Sequence, residues 1–283
     1  MRRFQYALLA AVVVTGFVST AHTADMPAIA APAESLMPPA RYDWSGFYFG
    51  GHFGGGRESN ELSDSPEIFG IFGSIIGFGL AGALNVPVQA LNSSGILGGV
   101  QGGTNFQIGK LVVGTEADFS WAGISGSSTA FLTTPIISPF GLNRTLGANT
   151  SWIGTVTARM GIAHDRWLLY TKGGAAWAKN SYTDAYTASL TPPSTFSFAG
   201  AASETRSGWT VGTGLEWAFW NDWSAKIEYD YMNFGTRAVN NTGTAFNNFT
   251  NPRVLQVITT VQNNQNINEV KLGLNYKFMP NFW

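Results

Sequence analysis

Beyond Arg41, apolar and polar residues alternate with a period of two, in segments of about 10 to 14 residues, enough for tilted membrane strands. The final segment shows it most plainly. Val270, Leu272, Leu274, Tyr276 and Phe278 fall on one face, and Lys271, Gly273, Asn275 and Lys277 on the other. In the segment before it, Trp223, Ala225, Ile227, Tyr229 and Tyr231 oppose Ser224, Lys226, Glu228 and Asp230. A helix, with its period of 3.6, would scatter both sets around its surface. Weaker alternation marks 209–217, 167–177, 152–162, 111–121 and 95–107, and an aromatic run marks 44–54. The pattern predicts eight strands.

The connections define the architecture. Tight turns fall at Gly109-Lys110, at His164-Asp165-Arg166 and at Asn221-Asp222. The stretches near 57–94, 124–149, 181–205 and 236–266 read as long loops. Short turns alternating with long loops, with both chain ends on the short-turn side, predict an all-β fold. It is an antiparallel eight-stranded transmembrane β-barrel with short periplasmic turns and four long extracellular loops. Trp44, Trp121, Trp167, Trp217, Trp220, Trp223 and Phe278 sit at strand ends, where interfacial girdles belong.

Composition agrees with a lipid-facing protein. Of 283 residues, 12% are charged, 45% hydrophobic and 14% aromatic, with 34 Gly. Disordered chains need the opposite balance. With no Cys, a disulfide scaffold and a cysteine metal site are excluded. A formal net charge of -1 without a basic run leaves no footprint for nucleic acid.

The first 24 residues have the layout of a secretory signal peptide. Arg2 and Arg3 precede an apolar stretch from Tyr6 to Val18, and small residues allow cleavage after Ala21 or Ala24. Residues 25–43, with Pro27, Pro32, Pro38 and Pro39, read as a flexible lead-in. Residues 44–283 form the barrel domain.

Two end motifs carry a family resemblance. Tyr42-Asp43-Trp44-Ser45-Gly46-Phe47-Tyr48-Phe49-Gly50-Gly51 resembles the opening strand of the alphaproteobacterial outer-membrane immunogenic proteins, small OmpA-like porin-family barrels. The stretch from Val270 to Phe278 resembles their closing strand. The resemblance implies a surface antigen of the bacterial outer membrane, in contact with membrane lipid and lipopolysaccharide. It further implies that the barrel-assembly machinery reads the C-terminal strand. Family members usually finish at the Phe, whereas Met279-Pro280-Asn281-Phe282-Trp283 follow here.

Eight strands enclose an interior just filled by side chains, or just able to hold one small ligand. Strand parity points Glu116, Asp118, Glu216, Glu228 and Asp230 inward, with Arg159, Lys172, Lys226, Lys271 and Lys277. Five acids facing five bases read as a paired ionic plug, because a buried charge needs a partner. The expected role is therefore structural, with surface loops presented outside. The alternative is a narrow pore for ions or small solutes.

No catalytic residue, metal site or cofactor is expected. Of three histidines, only His52, in the first strand, could meet a serine near the outer leaflet, and no His/Asp/Glu cluster has ligand spacing. A further alternative is ligand capture by loops. Residues 68–84 are uncharged, apolar and Gly-rich, and read as a loop folded into the barrel mouth, a helix lying on the outer leaflet, or a contact patch for a partner. The family resemblance offers haem as a candidate, although no axial His or Tyr stands out. Oligomeric state leaves no mark on the sequence.

Overall fold

The computed structural model describes residues 42–64, 89–133, 141–189, 195–247 and 253–278. The expected signal peptide, most of the lead-in, the apolar segment 68–84 and the 279–283 extension lie outside the described residues. Eight strands follow in order: β1 (Gly46–Asp64), β2 (Gln89–Ile108), β3 (Leu111–Thr133) and β4 (Gly141–His164). They continue with β5 (Trp167–Ser189), β6 (Thr195–Trp220), β7 (Trp223–Asn247) and β8 (Arg253–Phe278). Each strand pairs antiparallel with its sequence neighbours, and β1 pairs with β8 to close the barrel.

The closure has a definite stagger. Directly paired residues lead from Gly46 through Asn105, Gly114, Arg159, Lys172, Gly212, Asp230 and Glu269. The circuit returns to β1 at Gly56, ten positions above its start. That shear tilts the strands by roughly 35–45° to the barrel axis. It also lays Arg159, Lys172, Asp230 and Glu269 along one hydrogen-bonded row, which brings their inward side chains together.

Three two-residue turns close one end, each with positive φ at its first residue: Gly109 (63°), Asp165 (53°) and Asn221 (41°). Glycine, aspartate and asparagine are the residues that tolerate this region. At the other end the strands are longer than alternation alone indicates. About two thirds of the residues read as long loops belong instead to strands, so that 65–88, 134–140, 190–194 and 248–252 separate the long-connection strand pairs. The cause is a change of chemistry on the outer face. Above the lipid band outward positions become Ser, Thr and Asn, as at Ser125, Ser127, Thr129, Thr183 and Thr205, so hydrophobic contrast vanishes while backbone pairing persists.

Outward residues in the lower part form an apolar band. Trp167, Trp217, Trp220 and Phe278 are exposed along its lower rim, with Trp223 half-buried, and Trp121, Trp177 and Trp209 are exposed along its upper rim. Trp167 stacks on Trp217 at 5.6 Å. From Trp167 to Trp177 on β5, ten tilted residues at about 3.3 Å each span about 24 Å, close to the height of an outer-membrane barrel's apolar band. Register shifts fall just above the upper rim, at Trp121/Ile124, Thr150/Trp152 and Asn233/Gly235, between Ala201 and Trp209, and at the lower rim at Ala218/Trp220, as expected of bulges at a barrel edge.

Candidate functional site: the filled lumen

Inward side chains divide the lumen into layers. At the short-turn end Trp44, Val112, Ala163, Leu168, Tyr170 and Ala218 form an apolar cluster. Trp44 departs here from the girdle position expected of it. It precedes β1, its backbone N–H donates to Gln107 Oε1 (2.8 Å), and Tyr42 meets its indole edge-on at 4.8 Å. The chain enters the barrel from beneath, which turns the ring into the lumen mouth and away from lipid.

An ionic layer lies above. Lys172 Nζ sits 2.7 Å from Glu228 Oε1, 3.2 Å from Glu116 Oε1 and 3.4 Å from Asp230 Oδ1. Lys226 Nζ lies 3.0 Å from Glu116 and 3.2 Å from Glu228. Lys271 Nζ reaches Asp230 at 2.7 Å, Glu228 at 3.2 Å and Asp118 at 3.5 Å. Arg159 bridges Glu216 (3.4 Å) and Glu116 (3.6 Å), with its guanidinium 4.5 Å from the Tyr48 ring centroid. The chain positions these groups by leaving inward glycines between them. A Cβ on Gly214 would stand 2.5 Å from Tyr170 Cζ, and one on Gly212 would collide with the Asp230 carboxylate.

The even balance of acids and bases does not hold within this layer. Lys277 stands apart at the short-turn end, donating to the Asp43 carbonyl, 3.9 Å from Asp222 and 4.1 Å above the Tyr42 ring. Glu269, buried 3.8 Å from Lys271, joins the layer instead. Its parity with Lys271 was available in the sequence. Six carboxylates then face four cations, and neutral donors share the load. Tyr48 donates to Glu116 (2.8 Å), Tyr170 to Glu228 (2.6 Å), Asn275 to Glu216 (2.8 Å), and Thr155 to Asp118. Hydrogen bonds to ionised oxygens are the stronger kind, which makes such hydroxyls effective partners.

A second apolar layer caps the ionic one, formed by Ile124, Ile153, Ala176, Ala178, Met232, Phe234 and Ile267. Above it comes an amide-rich layer in which Thr150 and Gln265 donate to Glu58 (2.7 and 2.8 Å) and Asn180 donates to Gln265 (2.9 Å). Leu91, Leu146, Ala148, Tyr182 and Val239 follow, and Arg144 pairs with Asp184 at 2.9 Å. Parity alone could have found Arg144 and Asp184, but both lie in segments that read as loops.

His52 does meet a serine. Its Nε2 lies 2.7 Å from Ser120 Oγ, while Nδ1 contacts Gln101 Oε1. Gln101 in turn donates to Asn275 Oδ1 at 2.7 Å. In a nucleophile triad a carboxylate or amide orients the imidazole, and the hydroxyl is accessible to substrate. The Gln101 amide holds the orienting place, but Ser120 is fully buried. His164, the last residue of β4, is exposed with Asp165 at 3.5 Å.

Residues 26–278 match the family model described as the outer membrane protein beta-barrel domain. The 31 kDa outer-membrane immunogenic protein of Brucella melitensis is 28% identical over 288 residues, covering 96% of this chain and 99% of that protein. The 25 kDa outer-membrane immunogenic protein of Brucella abortus is 23% identical, covering 98% and 100%. Among solved structures, the outer membrane protease OmpT from Escherichia coli aligns with a TM-score of 0.44 at 8% identity, over 82% of this chain and 97% of that one.

Proposed function

Since the chain belongs to the outer membrane protein β-barrel family and resides in the outer membrane, we propose that it is a closed structural barrel. Its lumen is a packed core, and its work is done on its outer wall and at its long-connection end. The observation that carries this reading is the stacking of two unlike barriers. The Lys172–Glu116–Glu228 layer resists apolar solutes, and the Met232–Phe234–Ile267 layer above it resists water and ions. Apolar constrictions block conduction by dewetting.

In this reading residues 1–24 direct export and are removed, and residues 25–43 lead into the barrel. The short turns face the periplasm, and the long-connection end faces outward into lipopolysaccharide. The C-terminal strand from Val270 to Phe278 is the element offered to the assembly machinery. No catalytic step is assigned, since Ser120 beside His52 is fully buried and lacks the access that catalysis requires.

Planar-bilayer conductance of the refolded mature chain tests the proposal. The expected result is a protein that inserts, shifts its electrophoretic mobility on heating, and stays electrically silent. Reproducible unit openings would replace this reading with a narrow pore lined by the charged layer.

A further inference from the structure

The outer wall of β4, β5 and β6 changes chemistry directly above the upper aromatic rim. Lys179 is the next outward residue after the exposed Trp177, and it pairs across the sheet with Trp152 and Thr205. Trp152 stacks on Phe119 at 5.6 Å and 28°, forming an aromatic shelf beneath the lysine. Ser151 Oγ donates to the Lys179 carbonyl at 3.4 Å. Next to it, Ser181 Oγ and Ser203 Oγ stand 3.5 Å apart.

Among the described residues, Lys179 is the one charged side chain that this wall turns outward above Trp209. Arg144, Asp184 and Arg206 of the same strands point into the barrel and are buried. An exposed ammonium is thus fixed where the apolar band ends, with aromatic rings below it and neutral hydroxyls beside and above it. The complementary molecule has acyl chains, a phosphate at the edge of its apolar part, and sugar hydroxyls beyond. A cation at this depth meets a lipid phosphate without crossing hydrocarbon, and tryptophan favours the same boundary.

We propose that Lys179, with Trp152, Trp177, Ser181, Ser203 and Thr205, seats the phosphorylated sugar headgroup of an outer-leaflet glycolipid. The ammonium takes the phosphate, the indoles lie along the upper acyl chains, and the hydroxyls meet the sugar. This inference rests on the reading that the long-connection end faces the cell surface.

The test is native mass spectrometry of the refolded mature chain in detergent, with folding checked first by heat-modifiable migration. The probes are bisphosphorylated lipid A, its dephosphorylated form and inorganic phosphate. Lys179→Gln should fold normally and retain bound lipid A about fivefold less well, the weight of one lysine at a membrane surface. Lys110→Gln, in a short turn at the opposite end, should bind as the unaltered chain does. The dephosphorylated form should bind the unaltered protein as weakly as lipid A binds the variant. Undiminished binding by folded Lys179→Gln, equal binding of the dephosphorylated form, or displacement of lipid A by millimolar phosphate would each overturn the seat while leaving the barrel reading intact. A chain that never reaches the heat-modifiable form would overturn both.

Discussion

Lys172 and Glu228 meet at 2.7 Å across β6, which lies between their strands and puts Gly212 and Gly214 at the crossing. The bridge joins β5 to β7 through the lumen and is fully buried. Removing one partner of a buried pair costs more than the pair itself contributes, since the other charge is left in a low-dielectric interior. Lys172→Met, which leaves the buried carboxylates Glu116, Glu228 and Asp230 one shared cation short, should destabilise the barrel by about 3–5 kcal/mol. Urea unfolding in lipid vesicles, read by heat-modifiable migration, checks it; a loss below about 1 kcal/mol would mean that the remaining lysines re-pair with these carboxylates.

The glycines that make room for this bridge are testable separately. Gly214 faces Tyr170, whose hydroxyl donates to Glu228 at 2.6 Å. Gly214→Val should push the phenol off Glu228 and cost about 1–3 kcal/mol through overpacking, more if the hydrogen bond is lost outright. Tyr170→Phe alone separates the two contributions, since it removes the hydroxyl and adds no bulk. Equal losses for both variants would place the whole effect on the hydrogen bond.

Two barriers in series make a specific statement about conduction. Lys226→Gln weakens the ionic layer by unbalancing Glu116 and Glu228, yet leaves Ile124, Ile153, Met232, Phe234 and Ile267 in place. The variant should be less stable and still silent in a planar bilayer. Adding Phe234→Ala and Met232→Ala should open measurable flux through the same chain. Unit conductance from Lys226→Gln alone would show that the apolar layer does not seal.

The outer wall offers a depth gauge. Leu272 lies near the middle of the apolar band, and Ser127 lies above the Trp121 rim on an equally outward position. Leu272→Arg should cost about 2–4 kcal/mol and Ser127→Arg about 0–1, the dependence expected of a lipid-facing surface. Folding free energies in vesicles measure both. Similar costs would move the band away from the Trp167–Trp177 interval.

Strand parity proved a good guide to facing and a poor one to height. The inward set from Glu116 to Lys271 is readable because the band gives each strand a hydrophobic outer face against which charge stands out. Lys277 has the same parity, but it sits where the chain leaves the barrel, and its partners Asp43 and Asp222 come from the rim. Trp44 shows the related difficulty, because nothing in an aromatic run tells a ring facing lipid from one tucked under the mouth. Glu269 stands one inward step above Lys271, just beyond Val270, where the run of hydrophobic outward residues leading up from Phe278 ends. Past that point the outer positions turn polar, the contrast is gone, and a paired strand is indistinguishable in sequence from a solvated loop.

That last difference has a direct consequence for dynamics. Above the band, pairing rests on backbone ladders together with the Glu58–Thr150–Gln265 layer, Arg144–Asp184 and the Leu91–Leu146–Tyr182–Val239 cluster, and acyl chains do not clad it. Arg144 donates to Asp184 through Nε at 3.1 Å and Nη2 at 2.9 Å, a forked arrangement between β4 and β5. Bidentate guanidinium pairs fix geometry as well as adding energy. Amides from Asn143 to Ala148 and from Tyr182 to Thr187 should therefore exchange with solvent far more slowly than a loop, although more quickly than those of the lipid-clad segment, as sub-global opening from the unclad end requires. Arg144→Met should raise exchange across this upper segment while leaving Val156 to Ile162 protected. Hydrogen–deuterium exchange in vesicles distinguishes the outcomes, and immediate exchange of the upper amides in the unaltered protein would return these residues to loops.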